Sequence, residues 1–224
     1  MTTNNQFIRE YEGDGRTVML KNVRLSFPDS LKDAKATVEN GVPKHTSNFL
    51  IESDRPGFEE KKAAAITAIK AACEKTWKKA DRYKGIMEDD PKRLAFRKGE
   101  RFKNAEGNVY VGYEGAMVIA AAGPGGGKKR PKLLDRRGNE VPYDKIDEIM
   151  YPGSYVDLKV SFYCTDKGGA GVFATIEAIK SREIGERTGG GVATSADEFD
   201  EFDDDADGAF DGAFDGDSAG GDDF

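Results

Sequence analysis

Every one of the 34 lysines and arginines in this chain lies before residue 189, and the 36 residues that follow carry 13 carboxylates and no positive charge. That segregation limits what can fold. Like charges repel, and 189–224 has almost no aliphatic surface to bury, so this stretch is expected to stay disordered. Arg187, Thr188, Gly189, Gly190 and Gly191 make a flexible hinge by composition. The fold must come from 1–188, where 34 basic residues face 28 acidic ones, a net of +6, although the whole chain stands at −7. The expected organisation is therefore a basic domain over 1–188 and an acidic tail over 189–224. A basic body with an acidic tail points to a nucleic-acid surface and an interaction segment. The tail also carries Phe199, Phe202, Phe210, Phe214 and Phe224, two of them in an Asp-Gly-Ala-Phe repeat. Rings spaced among acids read as short anchors for a partner's pocket, with the acids steering toward basic surfaces.

The body has enough apolar residues for one core, the whole chain being 38% hydrophobic. The longest apolar run, about 116–122, is far short of the roughly 20 residues a membrane helix needs. Met1 to Gln6 lack a basic-then-apolar pattern, so a standard secretion signal is not expected. Two cysteines, Cys73 and Cys164, make no disulfide framework and fit a reducing compartment. With one histidine, no site needing two can form.

The periodicity is mostly that of strands. In 18–27, Val23, Leu25 and Phe27 alternate with Arg24 and Ser26, and a phase break after Leu20 predicts a bulge. A second strand is expected over 44–52. Residues 58–83 read as one helix: Ala65, Ile66, Ile69, Ala72, Cys73, Thr76, Trp77 and Ala80 form its apolar stripe, Lys61, Lys75, Lys78 and Lys79 lie off it, and Gly85 stops it. Residues 109–121 form the next apolar stretch. In 155–164, Val156, Leu158, Val160, Phe162 and Cys164 share one face, and Tyr155, Asp157, Lys159, Ser161 and Tyr163 the solvent face. A Gly-rich turn over 165–171 returns the chain as a strand over 172–179, a hairpin. About five strands with an inserted helix suit a mainly β fold, an OB-like partly closed β-barrel followed by the disordered tail. A β-sandwich is the alternative.

Three groups of residues could carry chemistry. In 123–132, Lys128, Lys129, Arg130 and Lys132 follow Gly125, Gly126 and Gly127. A P-loop fails here: its first glycine would be Ala122 and its Ser/Thr would be Lys129. What is left is a flexible basic arm for phosphates. In the second group, Lys92, Arg93, Arg97, Lys98, Arg101 and Lys103 interleave with Phe96 and Phe102, as single-strand binding requires: rings stack on bases while cations track phosphates. In the third, Tyr155, Lys159 and Tyr163 form a stacking platform on the outer face of their strand. Trp77 belongs to the core, and His45, beside Lys44, is expected at the surface or on a phosphate. Asp203, Asp205, Asp207 and Gly208 imitate the start of a calcium loop, but its twelfth position is Phe214 and not the required glutamate. No nucleophilic triad, metal cluster or cofactor motif assembles, so neither a catalytic residue nor a cofactor is assigned.

Four pieces in order then resemble a known family: Phe-Lys-Asn-Ala-Glu-Gly-Asn-Val-Tyr-Val-Gly-Tyr at 102–113, Arg-Pro-Lys-Leu-Leu-Asp at 130–135, Met-Tyr-Pro-Gly-Ser-Tyr-Val at 150–156, and the turn and strand of 168–173. Over roughly 15–182 this is similar to the tailed-phage single-stranded DNA-binding proteins, formerly a family of unknown function. The resemblance implies an OB-type fold that binds single-stranded DNA with little sequence preference. It further implies a role in phage DNA replication, recombination or repair, in the cytoplasm of the infected bacterial host. On that reading the strand is held by Arg97, Lys98, Arg101, Phe102, Lys103, Tyr110, Tyr113, Lys128, Lys129, Arg130, Lys132, Tyr155, Lys159 and Tyr163. The tail resembles those of bacterial and podophage single-stranded DNA-binding proteins, which are acidic and tipped by Phe. Asp222, Asp223 and Phe224 would then dock a replication or recombination protein, such as a DNA polymerase or helicase. Bacterial tails place Pro before the final Phe, whereas Asp stands here. No membrane partner is expected, and self-assembly is left open. The competing readings are a protein-interaction factor or DNA mimic acting through its tail, for which the basic loop 128–132 would have no use, and a nuclease, for which no carboxylate–metal motif is present.

Overall fold

The alternation of the five longest strand candidates leaves each with one apolar edge, and such strands must wrap around a shared core. The computed structural model of the protein describes residues 3–36 and 41–188. The chain runs β1 (Ile8–Glu10), β2 (Thr17–Ser26), α1 (Asp29–Lys32), β3 (Thr46–Ile51), α2 (Phe58–Trp77), α3 (Arg82–Asp89), β4 (Phe96–Lys98), β5 (Met117–Ala122), β6 (Lys132–Leu134), α4 (Ile146–Ile149), β7 (Tyr155–Thr165) and β8 (Gly171–Glu183). The sheet order is β4-β5-β3-β2-β7-β8-β6, with β1 added on β2. A single parallel bridge, Ala122 to Thr175, joins β5 to β8 and brings the sheet back on itself. The ring is thus β2-β3-β5-β8-β7, antiparallel except at this junction. Residues 94–95 fill the junction: the Ala95 N–H donates to Val172 O and the Ala120 N–H to Ala95 O. This is the OB-like, partly closed barrel.

Inside lie Leu20, Leu25, Phe49, Ile119, Leu158, Val160, Phe162 and Ile176, all excluded from solvent. Helix α2, lying between β3 and β5 in sequence, packs on β7 through Ala65, Ala68, Ile69, Ala72 and Cys73. Burying Ile69 alone contributes about 2 kcal/mol. Among the described residues no helix is long and apolar enough to cross a membrane.

The phase break in β2 is a bulge. The register to β7 shifts between Leu20 and Val23, and Asn22 takes a left-handed backbone at φ 57°. Its N–H donates to Asp157 Oδ1 at 3.0 Å, and Lys61 Nζ donates to its carbonyl at 3.2 Å. Lys61 is therefore buried on the core side of α2, contrary to the expectation that it lies off the stripe. Burial holds its ammonium pKa below the ordinary lysine value.

The expected helix 58–83 is two helices. Lys78 adopts a left-handed cap, its N–H returning to Glu74 O, and α3 then runs through Gly85, which does not end it. The turn allows Tyr83 and Ile86 to reach the core. Thr76 is exposed and so drops out of the stripe. Trp77 does reach the core, with its indole N–H on Asp166 Oδ2 at 2.8 Å.

The 150–156 motif fastens the chain's return. The Gly153 N–H donates to Leu25 O and the Leu25 N–H to Ser154 O, each at 2.8 Å. Gly153 has φ +96°, and a Cβ there would collide with the Glu186 carbonyl, so only glycine lets residues 185–188 lie across this turn.

Candidate nucleic-acid interface

Register decides which side chains share the outer face of the barrel. Across five strands the pairing is Tyr155–Arg24, Arg24–Leu50, Leu50–Val118 and Val118–Arg97. One step along, Ser26 faces Asn48 and Asn48 faces Ala120. The interleaved row, Leu25–Phe49–Ile119–Phe96, points into the core, so Phe96 is interior and not a free ring.

Leu50 and Val118 are apolar on an outer face, and the segment 99–116 folds over them. Tyr113 and Ala116 are buried against this pair, with Phe102, Val109 and Tyr110 packed around them. The Tyr113 hydroxyl donates to Ser26 Oγ at 2.9 Å and accepts from Asn48 Nδ2 at 3.0 Å. Burial raises its phenol pKa. Gly99 makes the fold-over fit: a Cβ would strike the Tyr113 carbonyl, and its N–H donates to Ala116 O. Tyr113 is only 1% exposed. It supports the patch from below and offers no ring face to solvent, so its expected part in holding the strand is not direct stacking.

The exposed rim is formed by other rings. Phe27, expected inside from the alternation of β2, has φ 50° and turns outward, 42% exposed. Its ring meets Tyr110 edge-on at 4.9 Å and Tyr113 at 6.2 Å, while Phe102 stands 5.4 Å from Tyr113. The Arg97 guanidinium lies 4.3 Å over Phe102. Its Nε is buried with no hydrogen-bond partner, and burial pulls its pKa below the ordinary arginine value. Lys98, Arg101 and Lys103 are exposed around it. A half-buried cation over one ring, with further rings and cations on the same patch, has the chemistry to take a phosphate while bases lie on the rings.

The structure thus brings together Arg97, Lys98, Arg101, Phe102, Lys103, Tyr110 and Tyr113. Tyr155 is spent elsewhere. Its hydroxyl donates to Glu52 Oε2 at 2.9 Å, and the Arg55 guanidinium covers its ring at 3.9 Å. Glu52 also holds Arg24 at 3.0 Å. Tyr155 and Asp157 are both buried, so the supposed solvent face of β7 is covered at its start. Lys159 Nζ lies 4.5 Å over the Tyr11 ring. Tyr163 is exposed, at the far end of β7.

The basic loop is a fastened turn and not a flexible arm. The Gly127 N–H donates to Gly123 O, Lys129 N–H to Pro124 O, and His45 N–H to Gly127 O. The Arg130 guanidinium donates to Lys32 O and sits 5.1 Å from the Tyr143 ring centre. Lys128, Lys129 and Lys132 stay exposed, and Gly127 before them lies against the Lys44 side chain, which is bridged to Lys35. His45 is buried with Nδ1 2.7 Å from Ser30 O, a satisfied interior histidine and not a surface contact.

Phe27, Asn48 and Ser26 escaped sequence reasoning. The one signal for Phe27 was Pro28 after it, which ends the strand and lets the backbone turn. No group of three or more potential metal ligands occurs among the described residues. Asp222, Asp223, Phe224, the expected disorder of the tail and its calcium-like run lie outside the described residues.

The profile of a family described as the Enterobacter phage Enc34 ssDNA-binding protein matches residues 16–209. The chain belongs to this family. It is also 32% identical over 188 residues to a protein designated p50 of Acyrthosiphon pisum secondary endosymbiont phage 1, covering 83% of this chain and 93% of p50. The structure of the bacteriophage Enc34 single-stranded DNA-binding protein in complex with ssDNA superposes with TM-score 0.66 at 21% identity, covering 84% of this chain and 96% of that one. A C-terminally truncated form of the same phage protein gives TM-score 0.63 at 21% identity, over 83% and 95% of the two chains. These solved structures share the barrel.

Proposed function

We propose that this member of the Enc34 family binds single-stranded DNA without sequence preference and without catalysis, in phage DNA replication, recombination or repair in the infected host's cytoplasm. The observation that carries the reading is the half-buried Arg97, its Nε without a hydrogen-bond partner and its guanidinium over the Phe102 ring, beside the Phe27–Tyr110 ring pair on the β3–β5 face, the face OB folds use for oligonucleotides. Arg97, Lys98, Arg101 and Lys103 neutralise phosphates, and Phe27, Tyr110 and Phe102 receive bases. Tyr113 positions the rings. Lys128, Lys129 and Lys132 add charge at the other end of the face.

The tail acts as a tethered competitor for this surface. A +6 body linked to 13 acids places them at high effective concentration near the cations. When DNA displaces the tail, its Phe-bearing acidic segment becomes available to a polymerase, a helicase or another partner. Fluorescence anisotropy with labelled oligo-dT and an equal-length duplex tests both parts, comparing the full chain with a 1–188 truncation over a salt series. Preference for the single strand, with tighter binding after truncation chiefly at low salt, is expected. Equal affinity of both forms at every salt would refute the tail competition. Absence of DNA binding by either would refute the main reading and favour a factor acting on proteins through its tail. Cleavage of the labelled DNA in magnesium or manganese would reveal a nuclease.

A further inference from the structure

On the outer side of the hairpin, Tyr163 of β7 and Phe173 of β8 are a direct cross-strand pair, with ring centres 5.9 Å apart and planes inclined by 31°. Tyr163 is exposed and Phe173 half-buried. Two rings tilted by about a third of a right angle on a strand pair, one exposed and one half-buried, are a surface on which a planar group can lie. The Arg93 guanidinium stands 5.6 Å from the Phe173 ring centre and holds the hairpin loop by donating to the carbonyls of Lys167, Gly169 and Ala170. The nearby carboxylate of Asp166 is already engaged by Trp77 and Arg82, so its charge is offset.

Arg93 also connects this pair to the main face. From Leu94, bridged to Val172, the chain continues into β4, paired with β5, and reaches Arg97 over Phe102. The two arginines are four residues apart, at most about 13 Å along the chain. Two arginines at the ends of this segment therefore each cap a ring, one on the hairpin and one on the face. Nothing in the core needs Tyr163: its inward neighbours Phe162 and Cys164 do the packing.

We infer that the Tyr163–Phe173 pair is a second base-stacking subsite, reached by a single strand that leaves the β3–β5 face along Arg97 and Arg93. The inference rests on the single-strand reading above and adds the route. A strand too short to cover both places uses only the face, and a longer one occupies both. Arg93 fixes the loop and supplies the charge between them.

The test uses the full chain with Tyr163→Ala, Phe173→Leu and the double variant, with thermal melting to confirm that each is folded. Binding is measured with oligo-dT of six and of thirty nucleotides, and an iodouracil-substituted thirty-mer is photocrosslinked and mapped by mass spectrometry. The double variant is expected to bind the thirty-mer about ten-fold more weakly, while the six-mer changes less than about two-fold, given the usual strength of base–aromatic stacking. Crosslinks to Tyr163 are expected with the thirty-mer. Unchanged thirty-mer affinity, or an equal loss for both lengths, overturns the subsite while leaving the face in place. Failure of the unaltered protein to bind either oligonucleotide removes both readings together.

Discussion

The 99–116 patch and the 123–132 turn both announce themselves by clustered cations, and the structure treats them in opposite ways. In the patch, Arg97 is half-buried, its Nε lacks a partner, and its guanidinium lies over the Phe102 ring. In the turn, Lys128, Lys129 and Lys132 stand in water with no ring beside them, while Arg130 is consumed by the Lys32 carbonyl and Tyr143. A charge already partly stripped of water gains more when a phosphate arrives. One that keeps its hydration gains mainly by releasing counterions. The patch should therefore decide affinity and strandedness, and the turn should decide salt sensitivity.

Removing the patch cation should have the largest effect. Arg97→Ala is expected to weaken oligo-dT binding by about ten- to a hundred-fold, the range for a charge-assisted hydrogen bond. A loss as small as that of a turn lysine, measured by anisotropy at one salt concentration, would erase the contrast. Next come the rim rings, Phe27 exposed and Tyr110 half-buried. Phe27→Ala and Tyr110→Ala should each cost about 1–3 kcal/mol of binding, with little change in the salt slope. The triple change Lys128→Ala, Lys129→Ala and Lys132→Ala should do the reverse. Affinity falls only a few-fold at moderate salt, but the slope of log K against log salt becomes shallower by about 0.7 for each phosphate that is no longer neutralised.

Tyr113 separates a supporting role from a binding one. Tyr113→Phe leaves Ser26 and Asn48 without their shared partner and should lower stability by about 1–3 kcal/mol in urea titrations. Short-oligonucleotide affinity should change little once the protein is folded. The smallest effect is one of pH. Burial raises the folded phenol's pKa above the free value of about 10. Its contribution to stability is then complete below that free value and is lost as pH rises through the folded one. Burial also raises the phenols of Tyr11, Tyr155 and Tyr163, so absorbance at 295 nm should show several late-ionising tyrosines, one fewer in Tyr113→Phe.

What could be read from the residues alone follows from how local each cause is. The inner row of β7 was plain because Val156, Leu158, Val160 and Phe162 alternate without exception, and the bulge after Leu20 because the alternation slips. The outer rows were not legible. Tyr155 looks like a surface tyrosine until Arg55 and Glu52, about a hundred positions earlier, close over it. Tyr113 looks exposed until Ser26 and Asn48 meet its hydroxyl. Lys61 looks like any solvent-facing lysine until the Asn22 bulge supplies a buried carbonyl. Each of these was decided by a partner far away in sequence. Phe27 was missed because its outward turn is a backbone event that alternation does not encode. The chemistry of the patch, cations interleaved with aromatics, was legible because 97–103 carries it within one short stretch.

The central claim is that bases stack on the β3–β5 face, and the most direct test compares oligo-dT with an abasic deoxyribose-phosphate oligomer of equal length and charge. The account predicts that the protein binds oligo-dT at least ten-fold more tightly, and that Phe27→Ala with Tyr110→Ala abolishes most of the difference. Equal affinity for the two strands would mean that only phosphates are held, and would contradict it.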